Sequence, residues 1–220
     1  MPAELTFTTL KARIRDYIER GSAAYDLKVD ENLPTFINLT ERRMARELKI
    51  QGFQEVVTAQ MIVSQAVYQK PDRWRETISI NFGTNLGTAT TFNQRTPLRE
   101  LSYEALLQYW PNRTVTGTPR FYADYNYQNF IFAPTPSQTF PFELLYWQLP
   151  PLLDDSNQTN WLTEYAPNAL LHGCLDEAYS FLNNNDQKAK YKAEYDRDMA
   201  ALSGEDLQKI LDRYYKRTTS

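Results

Sequence analysis

Three carboxylates, Glu143, Asp154 and Asp155, lie in a stretch that also holds Trp147 and Trp161, with the tyrosines Tyr122, Tyr125 and Tyr127 upstream. Two carboxyl groups flanked by aromatic rings are the equipment of a glycan-binding or glycan-hydrolysing site, one carboxyl serving as acid and the other as base or nucleophile. The sequence leaves their separation open, and aspartates in turns more often accept hydrogen bonds from their own backbone. A second candidate is His172-x-Cys174. Side chains two apart on a helix diverge, which serves a Cys–His nucleophile poorly, and a single histidine excludes a His-based metal cluster. The pair reads as a packed helix with a satisfied imidazole and a small buried thiol. No Walker sequence, GxSxG elbow or dinucleotide-binding glycine pattern occurs. No catalytic residue, metal ligand or cofactor is assigned.

Charge narrows the partners. The 220 residues carry 27 acidic and 24 basic side chains, a net charge of −3. A protein that grips duplex DNA draws much of its affinity from neutralising phosphates and normally shows a basic excess. Near-neutrality therefore argues against a surface that wraps nucleic acid. Fifteen Tyr, eleven Phe and four Trp against seven Gly supply ample apolar material for a core and for subunit contact. Cys174 is the single thiol, so no intrachain disulfide forms and a reducing compartment is expected. The opening MPAELTFTTLKARIRDYI interrupts its apolar positions with charges, which argues against an export signal or a membrane span.

The elements that must position these groups follow a helix, sheet, helix order. A first helix is expected from about Thr8 to Arg20, with Leu10, Ile14, Tyr17 and Ile18 on one face and Gly21 closing it. A second is expected from Pro34, at its first position, to about Lys49. Phe36, Ile37, Thr40, Met44 and Leu48 would face inward, and Gly52 would end the pattern. Arg42, Arg46 and Lys49 make a basic stripe on this helix, partly offset by Glu41 and Glu47, and read as a solvated or subunit-facing surface. From about Glu55 to Gln148 the period changes. Val56–Thr58, Trp74–Ile80, Phe121–Tyr125, Asn129–Ala133 and Phe140–Trp147 suit a small antiparallel sheet or sandwich. A helix at Tyr103–Trp110 interrupts it, with Ser102 as N-cap and Pro111 as stop. Asn81 to Arg95, rich in Thr, Asn and Gly, reads as a hairpin tip or a loop.

The segment Phe140–Phe181 joins sheet to helix. Phe142, Leu144 and Tyr146 alternate with Glu143, Leu145 and Trp147 as a largely buried strand that must end at Pro150. Pro150 and Pro151 keep the chain extended, Asp155, Ser156 and Asn157 bring turn chemistry, and Trp161 anchors the loop to a core. Pro167 opens a helix whose Ala169, Gly173, Cys174 and Ala178 would let another helix approach closely. Pro150, Pro151, Asp155, Asn157 and Trp161 are expected to be the joint that fixes the β insert against the helices. Further on, Asp186 is expected to cap a helix with Ala189, Tyr191, Tyr195, Met199 and Leu202 inward. Ser203 and Asp206 would then start a separate helix over Leu207–Tyr215, because Gly204 weakens continuity.

The wording LLYWQLPPLLDDSNQTNWLTEYAPNALLHGCLDEAYSFLNNNDQ resembles the C-terminal signature of the head-to-tail adaptor (connector) proteins of tailed bacteriophages. LPTFINLTERRMARELK, Leu33 to Lys49, resembles that family's early helix, and GTPRFYADYNYQNFIFAPTP, Gly117 to Pro136, its central hairpin. The resemblance implies an α+β virion protein. A bundle of N- and C-terminal helices, residues 1–54 and 150–204, would carry a central antiparallel β-rich insert, residues 55–149. Residues 205–220 would dock onto the portal, with Leu207, Ile210, Leu211, Tyr214 and Tyr215 as apolar anchors. The family's rings are usually twelvefold, so a homo-oligomer is expected, joining the portal protein to tail or nozzle proteins at the head–tail interface after assembly in the host cytoplasm. Genomic DNA would pass through the lumen without sequence-specific binding and be retained with the ring's help, and no membrane is involved. Arg42, Arg46 and Lys49 are subunit-interface candidates. Gly83, Leu86, Gly87 and Phe92 are candidates for contact with neighbouring components, since protruding loops in the family reach them.

Overall fold

The computed structural model describes residues 5–18, 23–49, 51–83 and 94–218. In chain order they form α1 (Phe7–Ile18), α2 (Ala23–Glu47), β1 (Gln54–Gln60), β2 (Val67–Gln69), β3 (Trp74–Gly83), β4 (Arg95–Pro97) and β5 (Arg99–Glu100). There follow α3 (Tyr103–Tyr109), β6 (Thr116–Gly117), β7 (Phe121–Asp124), β8 (Asn129–Ala133), β9 (Thr135–Pro136) and β10 (Pro141–Gln148). The chain closes with α4 (Trp161–Tyr165), α5 (Pro167–Phe181) and α6 (Asn185–Thr218). The class is α+β, with terminal helices and a central β-rich region, and the chain divides into two compact units, Met1–Phe53 with Leu149–Ser220, and Gln54–Gln148.

In the helical unit the apolar stripe of α2 builds the core. Phe36, Ile37, Thr40, Met44 and Leu48 are all buried, as their spacing requires. The helix nevertheless begins at Ala23, so Pro34 is not its first residue but an interior one. Val29 and Leu33 continue the stripe backward in register, while Pro34 itself lies on the exposed side. Burial along one continuous face outweighs the hydrogen bond that Pro34 cannot donate to the Asp30 carbonyl. In α1, Leu10 and Ile14 are buried, but Tyr17 is half exposed and is held instead through its carbonyl, which accepts the Tyr179 hydroxyl at 2.8 Å. Arg20 and Gly21, expected to close that helix, lie outside the described residues.

Helix α5 opens at Pro167, which occupies its first turn. Asn183, with φ of 54°, follows its end and reverses the chain into α6. The cap of α6 is Asn184, whose Oδ1 accepts from the Gln187 amide at 3.3 Å, and not the exposed Asp186. Tyr191, Tyr195 and Met199 are buried, whereas Ala189 faces solvent and Leu202 is half buried. Nor does the helix break at Gly204. It runs 34 residues to Thr218, since one glycine costs a helix only about 1 kcal/mol. Positions 203 and 206 therefore lie within one continuous helix and do not start a separate one.

Close packing of α2, α5 and α6 depends on Gly173. A Cβ there would lie 2.5 Å from Thr40 Cγ2 and 3.1 Å from the Tyr195 ring. Gly173→Ala is expected to lower the stability of this unit by about 1–2 kcal/mol in urea denaturation, although alanine is the better helix former. An unchanged midpoint would mean that the crossing relaxes freely.

The β unit holds two four-stranded sheets, in the orders β1-β10-β3-β4 and β2-β8-β7-β5. Most pairs are antiparallel, while the short pairs β5–β7 and β6–β9 are parallel. Side chains alternate in β8. Phe130 and Phe132 join Phe142 and Tyr146 of β10 in one core, and Ile131 and Ala133 pack with Leu106 of α3 in another. Helix α3 occupies the expected residues, with the Ser102 hydroxyl accepting from the Ala105 amide at 3.2 Å. Of the stretch Asn81 to Arg95, the two ends are strand, residues 81–83 closing β3 and Arg95 opening its antiparallel partner β4, and residues 84–93 lie outside the described residues. Gly83 ends β3, while Leu86, Gly87 and Phe92 lie outside the described residues.

Candidate assembly site in the helical unit

The connector 149–160 has no helix or strand of its own, and its polar groups are met by three helices. At α1, the Gln158 carbonyl accepts from the Phe7 amide at 2.8 Å, and Gln158 Oε1 accepts from the Thr8 amide at 3.1 Å and hydroxyl at 2.9 Å. Two of the helix's orphan donors are satisfied from a distant part of the chain. At α4, Asn160 is the N-cap. Its Oδ1 accepts from the Leu162 and Thr163 amides, and its own amide donates to Thr163 Oγ1 at 2.9 Å, closing a capping box.

At α2 the partner is Glu41. Its carboxyl is wholly buried and accepts from the Leu153 amide at 3.1 Å and from Asn160 Nδ2 at 2.6 Å. Burial pushes Glu41 up to about 7, against the pull of those two hydrogen bonds. The residue is not part of the exposed helix surface, because its carboxyl lies in the core, although the Arg42 charge still acts on it. Glu47 accepts the Tyr195 hydroxyl at 2.7 Å. Arg42, Arg46 and Lys49 are exposed; Arg42 Nε donates to Asn38 Oδ1 at 2.7 Å and Arg46 Nε to the Arg42 carbonyl at 3.1 Å.

The expected joint residues are distributed along this connector. Pro150 is buried, and Pro151 is exposed with its carbonyl accepting from Asn160 Nδ2 at 3.0 Å. Asn157 Nδ2 donates to the Leu152 carbonyl at 2.8 Å. The turn belongs to Asp154 rather than Asp155. Asp154 Oδ1 accepts from the Ser156 amide and hydroxyl and from the Asn157 amide, at 2.6–2.7 Å, and these bonds, led by the Ser156 hydroxyl, hold its carboxyl below the usual range. Asp155 points outward and pairs with Lys11 at 3.2 Å. Trp161 stands edge-on to Phe53 with ring centroids 5.4 Å apart and stacks on Tyr165 at 5.3 Å. It also lies directly over Gly52, where a Cβ would come within 2.2 Å of Nε1. Trp161→Ala is expected to cost about 2–3 kcal/mol, read as a lower thermal midpoint for the helical unit. A shift under 1 °C would remove Trp161 from the anchor.

A second polar cluster ties α2 to α5 and α6. Arg43 Nη1 donates to Asp176 Oδ2 at 2.9 Å and Glu177 Oε1 at 3.1 Å, and its guanidinium lies 4.1 Å over the Tyr195 ring. His172 Nδ1 sits 2.9 Å from Asp198 Oδ2, and Cys174 is wholly buried, its thiol pushed up by burial. This is the packed helix with a satisfied imidazole that the spacing suggests. Among the described residues, no three His, Cys, Asp or Glu side chains are grouped to hold a metal ion.

The carboxylates that suggested glycan chemistry have other employment. Glu143, in the β unit, pairs with Arg95 at 2.9 Å, while Asp154 closes a turn and Asp155 meets Lys11. A general acid needs a raised carboxyl, whereas the Asp154 carboxyl is lowered. Tyr122 is buried and donates to Glu100 at 3.2 Å, leaving Tyr125 and Tyr127 as exposed rings.

The side chains of Leu207, Ile210, Leu211, Tyr214 and Tyr215 lie outside the described residues, on a stretch that continues α6. Among the described residues no helix is long and apolar enough to cross a membrane. Helices braced by a side-chain-pinned connector, together with a β-rich insert, define an α+β structural scaffold. The family model of the SU10 adaptor protein matches residues 5–218, and the chain belongs to this family of phage head-to-tail adaptors. It is thus a structural protein of the phage virion, from a family that is typically non-enzymatic and that acts with phage portal and tail proteins. No curated protein matches the chain.

Proposed function

We propose that copies of this chain close into a ring of about twelve that joins the portal to the tail, extends the DNA channel and helps retain the packaged genome. The observation that carries this reading is the single family match from residue 5 to residue 218, which takes in both the helical unit and the β insert. Its work is binding. A net charge of −3 supports a channel through which DNA moves without being gripped. The helical units form the wall, with Arg42, Arg46 and Lys49 at the subunit contact. Pro150, Pro151, Asp155, Asn157 and Trp161 set the β insert, residues 55–149, against that wall. The segment from Gly83 through Leu86 and Gly87 to Phe92 reaches a neighbouring component, and residues 205–220 dock on the portal.

Native mass spectrometry and electron microscopy of the protein, alone and mixed with its portal protein, test this. A ring on the portal is expected. Removal of residues 205–220 is expected to weaken portal binding at least tenfold while leaving the helical content of residues 5–204 in place. Failure of the full chain to bind its portal would overturn the reading.

A further inference from the structure

In the β unit a groove of about 600 Å³ opens between β3, the β4–β5 passage and the start of β7. Phe82, Pro97, Pro119 and Phe121 supply apolar walls, and Arg99 and Arg120 line the same space. The two arginines are joined through the backbone where β5 meets the start of β7, the Arg99 amide donating to the Arg120 carbonyl at 3.0 Å. Both are exposed, and among the described residues neither guanidinium has a hydrogen-bond or ion-pair partner. Carboxylates on neighbouring strands are engaged elsewhere. Glu100 accepts the Tyr122 hydroxyl, Asp124 pairs with the buried Lys70 at 2.9 Å, and Glu143 pairs with Arg95.

A concave site with two guanidinium groups that have no partner among the described residues calls for carboxylates, which arginine can take two hydrogen bonds at a time. Its volume is that of a pocket for a few side chains, and proline and phenylalanine walls suit aromatic or proline side chains. We propose that this groove binds an acidic, extended segment of a protein partner, with Arg99 and Arg120 taking its carboxylates. Nucleic acid fits less well. A chain of net charge −3 lacks the basic surround that phosphate tracking requires, and a pocket walled by prolines does not follow a backbone. This inference stands apart from portal binding, which the experiments above read separately.

The probe is a fluorescein-labelled Glu-Phe-Glu-Pro-Glu peptide, titrated with the full chain in fluorescence anisotropy at low salt. Saturable binding is expected, weakened at least tenfold by Arg99→Gln combined with Arg120→Gln and unchanged by Arg13→Gln on α1. Both groove arginines are exposed, so the double variant should keep its circular dichroism. The proposal is overturned if the peptide shows no binding up to millimolar protein, or if the double variant binds it as before. Equal binding of the Lys-for-Glu peptide, or stronger competition by oligothymidylate than by unlabelled peptide, would also overturn it.

Discussion

Arg43→Ala is expected to destabilise the helical unit by about 3–5 kcal/mol, more than the loss of Trp161 or the filling of Gly173. Asp176 is nearly fully buried, its side chain 5 % exposed, and its main compensation is the Arg43 guanidinium at 2.9 Å. Removing that cation leaves a carboxylate in a low-dielectric core and also strips the cover from the Tyr195 ring. The loss should appear as a lower urea midpoint with an unchanged slope when helical circular dichroism is followed.

Two further variants separate charge from packing. Arg43→Met keeps much of the apolar stem but not the charge, and should lose nearly as much as alanine. Arg43→Met combined with Asp176→Leu should recover most of the loss, because a buried ion pair replaced whole by apolar groups is often neutral. Additive losses in the double variant would show that packing, not the pair, carries the energy.

Parts of this architecture were legible because their signals are local. The alternation of Phe142, Leu144 and Tyr146, the Ser102 cap of α3, and the small residue at the Gly173 crossing each follow from neighbours within a few positions. Pro34 and Gly204 misled in the same way. Each is a helix breaker by propensity, and each sits within a helix longer than the local signals suggested. Propensity costs of this size yield to a continuous buried face in α2; Gly204 has open space where a Cβ would stand and merely weakens α6.

The connector's chemistry was less visible. The loop's turn residues and Trp161 could be picked out, but Asp154 and Asp155 are adjacent and identical, and only geometry separates the turn-former from the exposed ion-pair partner. Gln158 meets α1 from some 150 positions away, a relation no spacing reveals. Glu41 did leave a trace. Ile37, Glu41, Met44 and Leu48 fall at helical spacing on one buried stripe, so a charged residue stood where only apolar ones were expected. Its usual pairing with nearby basic residues disguised it as surface.

That carboxyl governs the pH dependence expected of the helical unit. Glu41 rises from an ordinary 4.5 to about 7 through burial, opposed by hydrogen bonds from Leu153 and Asn160 and by the nearby Arg42 charge. A raised folded-state value means that the folded chain binds this proton more tightly than the unfolded one. Its contribution is therefore fully present below pH 4.5 and is lost as pH rises through about 7, a change of about 3 kcal/mol at most. Glu41→Gln should remove this component while retaining an oxygen for the Leu153 and Asn160 donors. Glu41→Ala should instead cost about 3 kcal/mol at low pH, since it opens a void and leaves both donors without their acceptor. Urea midpoints of the three proteins, measured from pH 4.5 to 8, decide the matter. Groups common to all three cancel in the comparison. A wild-type profile parallel to that of Glu41→Gln would show that the buried carboxyl does not carry the dependence.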